Sequence, residues 1–195
     1  KLATDHPEVD FIIDETYLFF LQEFQERSLM TFAASVENVY VIASLSKFYS
    51  APGLRAGVLV SSTDNIKKYE ESMVPYTLSP ISIPAVEHIL KDKEFVDSAR
   101  QVFTDRIRQT YELAMDMLPQ DAVKVIKPEG PLMLIGLKKG LSSIEIESQL
   151  RERGLLVRDC SQIDDLGESW IRVSCKSLDE MLKLFINLSD IICKI

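Results

Sequence analysis

Short apolar runs alternate with amphipathic stretches along this chain, and the alternation predicts strands and helices in turn. Val9-Asp-Phe-Ile-Ile13, Val39-Tyr-Val-Ile-Ala43 and the run at 57–61 are short and rich in β-branched residues, and read as strands. Residues 28–38 predict a helix crossing back between the first two. That is the strand–helix–strand unit of a parallel sheet, with apolar runs buried on both faces and an α/β class. Thr63 is placed to cap a helix that reaches Met73, and prolines interrupt Val74-Pro-Tyr-Thr-Leu-Ser-Pro80. Pro84 suits the first turn of a helix reaching Leu90. From Asp92 onward Phe95, Val96, Ala99, Val102, Phe103, Ile107, Leu113, Ala114 and Met117 recur at spacings that fit one capped helix of roughly 25 residues.

A different rhythm follows. Strands are expected at 122–126, 132–137, 155–158 and 170–174, with helices over 143–153 and 178–192. Ser142…Glu145 and Ser177…Glu180 have the spacing of capping boxes at the two helix starts. This is a small α+β lobe. The expected division is 1–91 for part of a large α/β domain and 92–195 for the long helix and the small lobe, because so long a helix tends to join two lobes.

Composition narrows the class. The 195 residues suffice for a substantial core, and no apolar run approaches the ~20 residues of a membrane span. The start does not read as a signal peptide. A net charge of −8 argues against nucleic acid and anionic membranes as partners. Cys160, Cys175 and Cys193 are odd in number and lack metal-ligand spacing, which points to reduced thiols in a cytoplasmic protein. His6 and His88 lie too far apart in sequence to suggest a metal cluster.

Candidate chemistry concentrates between two of the strands, in Ala43-Ser-Leu-Ser-Lys-Phe-Tyr-Ser-Ala-Pro-Gly-Leu-Arg-Ala-Gly57. The hydroxyls of Ser44 and Ser46 and the guanidinium fork of Arg55 suit a phosphate. Lys47, at the end of a strand and near another cation, is a candidate amine nucleophile toward an aldehyde. Alone, Ser-Leu-Ser-Lys would pass for an ordinary loop with a solvated lysine. Upstream, Asp14-Glu-Thr-Tyr17 leaves the end of the first strand, where a carboxylate can pair with a protonated pyridine nitrogen and a tyrosine can reach a ring oxygen. Phosphate, amine and ring partner together point to pyridoxal 5′-phosphate. In open α/β sheets ligands sit beyond the carboxyl ends of the strands, where Asp14 and Ser44–Lys47 both fall.

With these residues the chain resembles the fold-type-I pyridoxal-phosphate enzymes of the class I/II aminotransferase group. The matching motifs are Asp14-Glu15-x-Tyr17, Ser44-x-Ser46-Lys47 and Gly53-x-Arg55-x-Gly57. The resemblance implies a three-layer α/β/α large domain, incomplete at its N-terminus, followed by a small α+β domain. Such enzymes carry further cofactor contacts in a preceding half of the large domain, so the chain looks like the C-terminal part of a longer enzyme. The resemblance further implies a homodimer when intact, and it makes Tyr76 a candidate contact to substrate or cofactor. A plain packing role for Tyr76 is equally open, and Phe19, Phe20 and Phe24 read as core before active-site wall.

The small lobe adds two arginines. In Trp170-Ile-Arg-Val-Ser174, Arg172 faces opposite its apolar neighbours by the strand period of two, and a side chain so costly to bury calls for an anion. A salt bridge to a nearby acid is the plain account, whereas the family resemblance implies the substrate carboxylate. Val157-Arg-Asp-Cys-Ser161 is similar to threonine-phosphate decarboxylases of the cobalamin pathway and nearly as similar to histidinol-phosphate aminotransferases. In both groups this arginine, Arg158 here, helps hold a phosphate on the substrate side chain. Pro128-Glu-Gly-Pro-Leu-Met-Leu134 lacks the Asn-Phe that relatives often carry. The expected function is decarboxylation of a phosphorylated amino acid, with transamination as the runner-up and an inactive fragment or interaction module as the non-enzymatic alternative.

Overall fold

The computed structural model describes residues 1–138 and 140–194. The chain divides after Arg100 into two compact units. The first contains α1 (Leu2–Asp5), β1 (Phe11–Asp14), α2 (Phe24–Arg27), α3 (Met30–Ala33), β2 (Val39–Ser44), β3 (Gly57–Val60), α4 (Thr63–Ser72) and α5 (Ser82–Lys91). α6 (Lys93–Met117) is a single helix of 25 residues that begins in this unit, where Asp92 Oδ1 accepts from the Phe95 amide at 2.9 Å.

The sheet of this unit has the order β1-β2-β3. β1 and β2 are parallel, as the strand–helix–strand pattern predicts, but β3 returns antiparallel to β2. The reason is the connection. Residues 45–56 hold only a 3-10 turn (Pro52–Leu54) and never cross back to the start of the sheet, whereas a parallel pair needs such a crossover. The β1–β2 crossover also differs from the single helix expected. It is broken into a 3-10 turn at Leu18–Phe20 and the two short helices α2 and α3. A buried carboxylate explains the break: Glu15 accepts from Ser28 Oγ at 2.8 Å and from the Leu29 amide at 2.7 Å, holding that joint in an extended turn.

One face of the sheet is packed. Val39, Val41 and Ala43 are buried with Ala3 and Ala33 nearby, and the Asn38 amide group donates to the carbonyls of Ala3, His6 and Val9 at 2.9–3.0 Å. The other face departs from the expected burial, since Ile12 is 71% exposed and Ile42 38% exposed. Phe19, Phe20 and Phe48 form a buried aromatic core with Phe24, Tyr49 and Phe95. Arg100 lies over the Phe24 ring at 5.1 Å and donates to the Phe19 carbonyl at 3.1 Å. Phe19 and Phe20 are thus core residues, and Phe24 is half-buried against Phe19. α4 is capped by Ser62, whose hydroxyl accepts from the Asn65 amide, and not by Thr63.

The second unit is a four-stranded antiparallel sheet, β4 (Val123–Val125), β5 (Leu132–Leu137), β6 (Arg158–Asp159) and β7 (Trp170–Ser174), in the order β4-β5-β7-β6. α7 (Ser143–Glu152) and α8 (Leu178–Lys194) pack on it. Met133, Ile135, Ile171 and Val173 from the sheet meet Ile146, Leu150, Met181, Phe185 and Leu188 from the helices in one buried cluster. Gly136 sits opposite Trp170, and a Cβ there would come within 3.0 Å of the indole, so the ring takes the space of a missing side chain. The Ser177–Glu180 box forms, with the Ser177 amide donating to Glu180 at 3.1 Å. At the helix start expected from Ser142 and Glu145, Ser142 is the N-cap residue but makes no side-chain cap bond. The third strand is shorter and later than expected, as Leu155 folds back to donate to the Leu150 carbonyl and leaves 155–157 irregular. Among the described residues no helix is long and apolar enough to cross a membrane, and no cluster suits a metal ion.

Candidate active site

In the first unit the strand directions bring three motifs to one end of the sheet. β1 and β2 run parallel, so Asp14 and Ser44 both lie at carboxyl ends. β3 runs back from that same end, with Gly57 paired to Ser44, so Arg55 enters two residues before the pairing begins. A Cβ on Gly57 would lie 3.0 Å from the Ala43 carbonyl oxygen, and the missing side chain permits this close approach. Gly53 has open space around it and needs no special backbone, so the two glycines of the motif do different work.

Short hydrogen bonds tie these ends together. Asp14 Oδ1 accepts from the Thr16 amide at 2.8 Å, Thr16 Oγ1 accepts from the Ser44 amide at 3.0 Å, and Ser44 Oγ accepts from the Ser46 amide at 3.2 Å. Among the described residues no hydrogen bond engages the Ser44 hydroxyl proton or the second Asp14 oxygen. Arg55 has a left-handed backbone (φ 50°) and folds one guanidinium nitrogen back to the Pro52 carbonyl at 3.0 Å, leaving its remaining N–H groups outward. Lys47 is exposed and makes no salt bridge among the described residues, while its neighbours Leu45 and Phe48 are fully buried and anchor the loop on both sides of it. Tyr17 is partly exposed beside the same strand end and stacks on Phe20 at 6.1 Å. Tyr76 is 97% exposed, with φ at 66°, and touches none of these groups. The segment it occupies lies between prolines, outside any helix or strand that could aim it.

In the second unit Arg158 of β6 and Arg172 of β7 are direct register partners. Residues paired across an antiparallel ladder project to the same face, and two like charges so placed repel. Neither arginine makes a salt bridge among the described residues. Both line a groove of about 340 Å3 together with Ser174, Lys176, Glu180 and Lys183. The acid next in sequence does not quench them. Asp159 accepts from Ser143 Oγ (2.5 Å), Ser161 Oγ (2.5 Å) and the Ser161 amide (3.0 Å). Burial raises its carboxyl, but those donors and the Arg158 charge outweigh it and leave the group below the ordinary carboxylate range. Behind the arginines the buried Cys160 thiol is pushed up by desolvation against the pull of Arg172.

The first unit thus gathers a carboxylate, an amine, hydroxyls and a guanidinium at one sheet end, and the second unit presents two arginines that make no salt bridge among the described residues. Residues 1–187 match the model of aminotransferase class I and II. The chain belongs to that family. Among its relatives is a protein from Caldanaerobacter subterraneus subsp. tengcongensis that carries the name threonine-phosphate decarboxylase, 23% identical over 90% of this chain and 47% of its own length. The histidinol-phosphate aminotransferase of Methanosphaera stadtmanae is 29% identical over 93% of this chain and 48% of its own. The crystal structure of the histidinol-phosphate aminotransferase from Clostridium acetobutylicum superposes with a TM-score of 0.88 at 18% identity, covering all of this chain and 57% of that one, a likeness of fold. The chain spans about half the length of the curated relatives it matches.

The class I and II aminotransferase family depends on pyridoxal 5′-phosphate. The donor set in the first unit fits that group: an acid, donors for a phosphate, and an amine with no salt-bridge partner among the described residues. Two residues escape a motif reading. Thr16, the unassigned position of Asp-Glu-x-Tyr, is the bridge between the strand ends, and Asp159 is the anchor of the arginine strand. Both carry the same local signal, a hydroxyl residue two positions past an acid at a strand end, but the bond from Ser143, 16 residues before Asp159, has none.

Proposed function

We propose that the chain is part of a pyridoxal-phosphate enzyme acting on a phosphorylated amino acid, most like O-phospho-L-threonine decarboxylation. The observation that carries this is the directly opposed pair Arg158 and Arg172 facing one groove, neither of them in a salt bridge among the described residues, an arrangement relieved by a ligand with two anionic groups. Arg172 holds the α-carboxylate and Arg158 the side-chain phosphate. Pyridoxal phosphate, when bound, supplies an electron sink for a bond broken at the substrate α-carbon. Asp14 holds a proton at the pyridine nitrogen, and Tyr17 donates to the ring oxygen. Ser44, Ser46 and Arg55 hold the cofactor phosphate. Lys47 Nζ is the amine that secures the cofactor and returns a proton to the α-carbon. Tyr76 reaches the site only if its exposed segment is ordered there in the whole protein, which acts as a homodimer in a reducing cytoplasm. The Arg-Asp-Cys-Ser segment supports the decarboxylase, and hence a place in cobalamin biosynthesis.

A second reading, histidinol-phosphate amino transfer, is favoured by the relative of that name at 29% identity. One assay separates them. With O-phospho-L-threonine and pyridoxal phosphate the full-length protein should release carbon dioxide. Glutamate formed from 2-oxoglutarate and histidinol phosphate would establish the second reading instead, and a protein active in neither assay would overturn both.

A further inference from the structure

We infer that Asp159 is a positioning residue, one that sets the Arg158 guanidinium for the substrate phosphate; this rests on the reading of Arg158 just given. β6 is two residues long and lies at the edge of its sheet, held to β7 by two pairs, Arg158↔Arg172 and Asp159↔Ile171. The chain before it is irregular, with Gly154 in the left-handed region and Leu156 exposed. The chain after it forms the loop Ser161–Gly167, with Asp165 and Gly167 also at positive φ. So short an edge strand is a weak mount for an arginine that must hold an anion against the repulsion of a second arginine.

Asp159 supplies the missing anchor. Successive strand residues point to opposite faces, so Asp159 projects away from the arginine pair. It meets Ser143, fully buried in the first turn of α7, and accepts its hydroxyl at 2.5 Å. The other two donors come from Ser161, at 2.5 Å through the hydroxyl and 3.0 Å through the amide. One carboxylate therefore locks the strand to a helix start on one side and to the following loop on the other. With three donors on its two oxygens, it is also held toward Ser143 and Ser161 and away from the neighbouring guanidinium. Arg158 keeps its full donor set for a ligand.

The charge of Asp159 makes the idea separable from a plain electrostatic effect. Removing a negative charge beside a cationic groove strengthens anion binding if the field alone matters. If position matters, the same change weakens it.

The test is equilibrium binding of O-phospho-L-threonine and of L-threonine to the full-length protein. Asp159→Ala is expected to weaken O-phospho-L-threonine on the order of tenfold, as a misplaced contact does, and to leave L-threonine unchanged. Asp159→Asn, which keeps the shape and one acceptor, should restore most of the loss. In an Arg158→Ala background Asp159→Ala should add nothing. Tighter phosphothreonine binding, equal loss for both ligands, or full additivity with Arg158→Ala would each overturn the inference. If Asp159→Ala does not fold, Ser161→Ala removes one donor and carries the same comparison with a smaller loss. Should Arg158→Ala itself leave the preference for the phosphorylated ligand intact, the phosphate reading of Arg158 fails first.

Discussion

Thr16→Val isolates the bond that joins the two strand ends. The Glu15 amide donates to the Ile42 carbonyl at 2.8 Å as the last backbone rung between β1 and β2. One step further the Thr16 hydroxyl stands in for the next carbonyl, accepting from the Ser44 amide at 3.0 Å. Valine keeps the branched shape and removes the hydroxyl, and with it the acceptor for the Ser44 amide. The Ser44 N–H, half-buried, then loses its partner, and a penalty of about 1 kcal/mol is expected, at the low end for an unsatisfied group because water can reach it. That corresponds to roughly a fivefold rise in the open population at Ser44. Amide hydrogen exchange at Ser44 and at Ser46, whose amide leans on Ser44 Oγ, reads the change directly. Thr16→Ser should restore protection. Undiminished protection of Ser44 in Thr16→Val, or equal loss in Thr16→Ser, would refute the bridge.

Three further outcomes follow from particular groups. Gly57→Ala should cost about 1–3 kcal/mol by forcing β2 and β3 apart, while Gly53→Ala should stay within about 0.5 kcal/mol; denaturant midpoints in the reverse order would contradict the roles given to the two glycines. Asp159 should titrate below the ordinary aspartate value of about 4. A depressed native value means its contribution to stability is present above that pH and is lost as pH falls through the native value. Carbon-detected NMR checks it, and an Asp159 titrating at or above the ordinary value would show that the three donors are not made. Finally, only Cys193 should react quickly with a thiol reagent, because Cys160 and Cys175 are buried and desolvation pushes the Cys175 thiol up to about 11 despite its bond from Thr110. Two fast thiols would mean that the second unit is open around one of them.

Much of the fold is legible along the chain because its signals are local. Leu132–Leu137 and Trp170–Ser174 fall where apolar alternation puts them, and α6 begins where Asp92 caps it. What is hidden depends on distant partners. An apolar run carries no direction, so the antiparallel return of β3 follows only from its short connection. The crossover pattern reads as one helix, but Glu15 reaches 13 residues ahead to Ser28 and breaks it. Of the candidate residues, Asp14 and Ser44 lie at the same end of the sheet, and Arg55 stands two residues before the Gly57 that pairs with Ser44. Arg158 and Arg172 were each visible as candidates, yet their direct pairing required the register, which strand spacing alone does not specify. Tyr76 shows the limit of resemblance, since a motif neighbourhood does not orient a residue that lies between secondary-structure elements.

The proposed activity depends on which amine of this chain meets pyridoxal phosphate. Borohydride reduction of the full-length protein with pyridoxal phosphate, followed by peptide mass mapping, answers that directly. The pyridoxyl mass should appear on the peptide containing Lys47 and disappear in Lys47→Arg. A modified peptide elsewhere, with Lys47 untouched, would contradict the assignment.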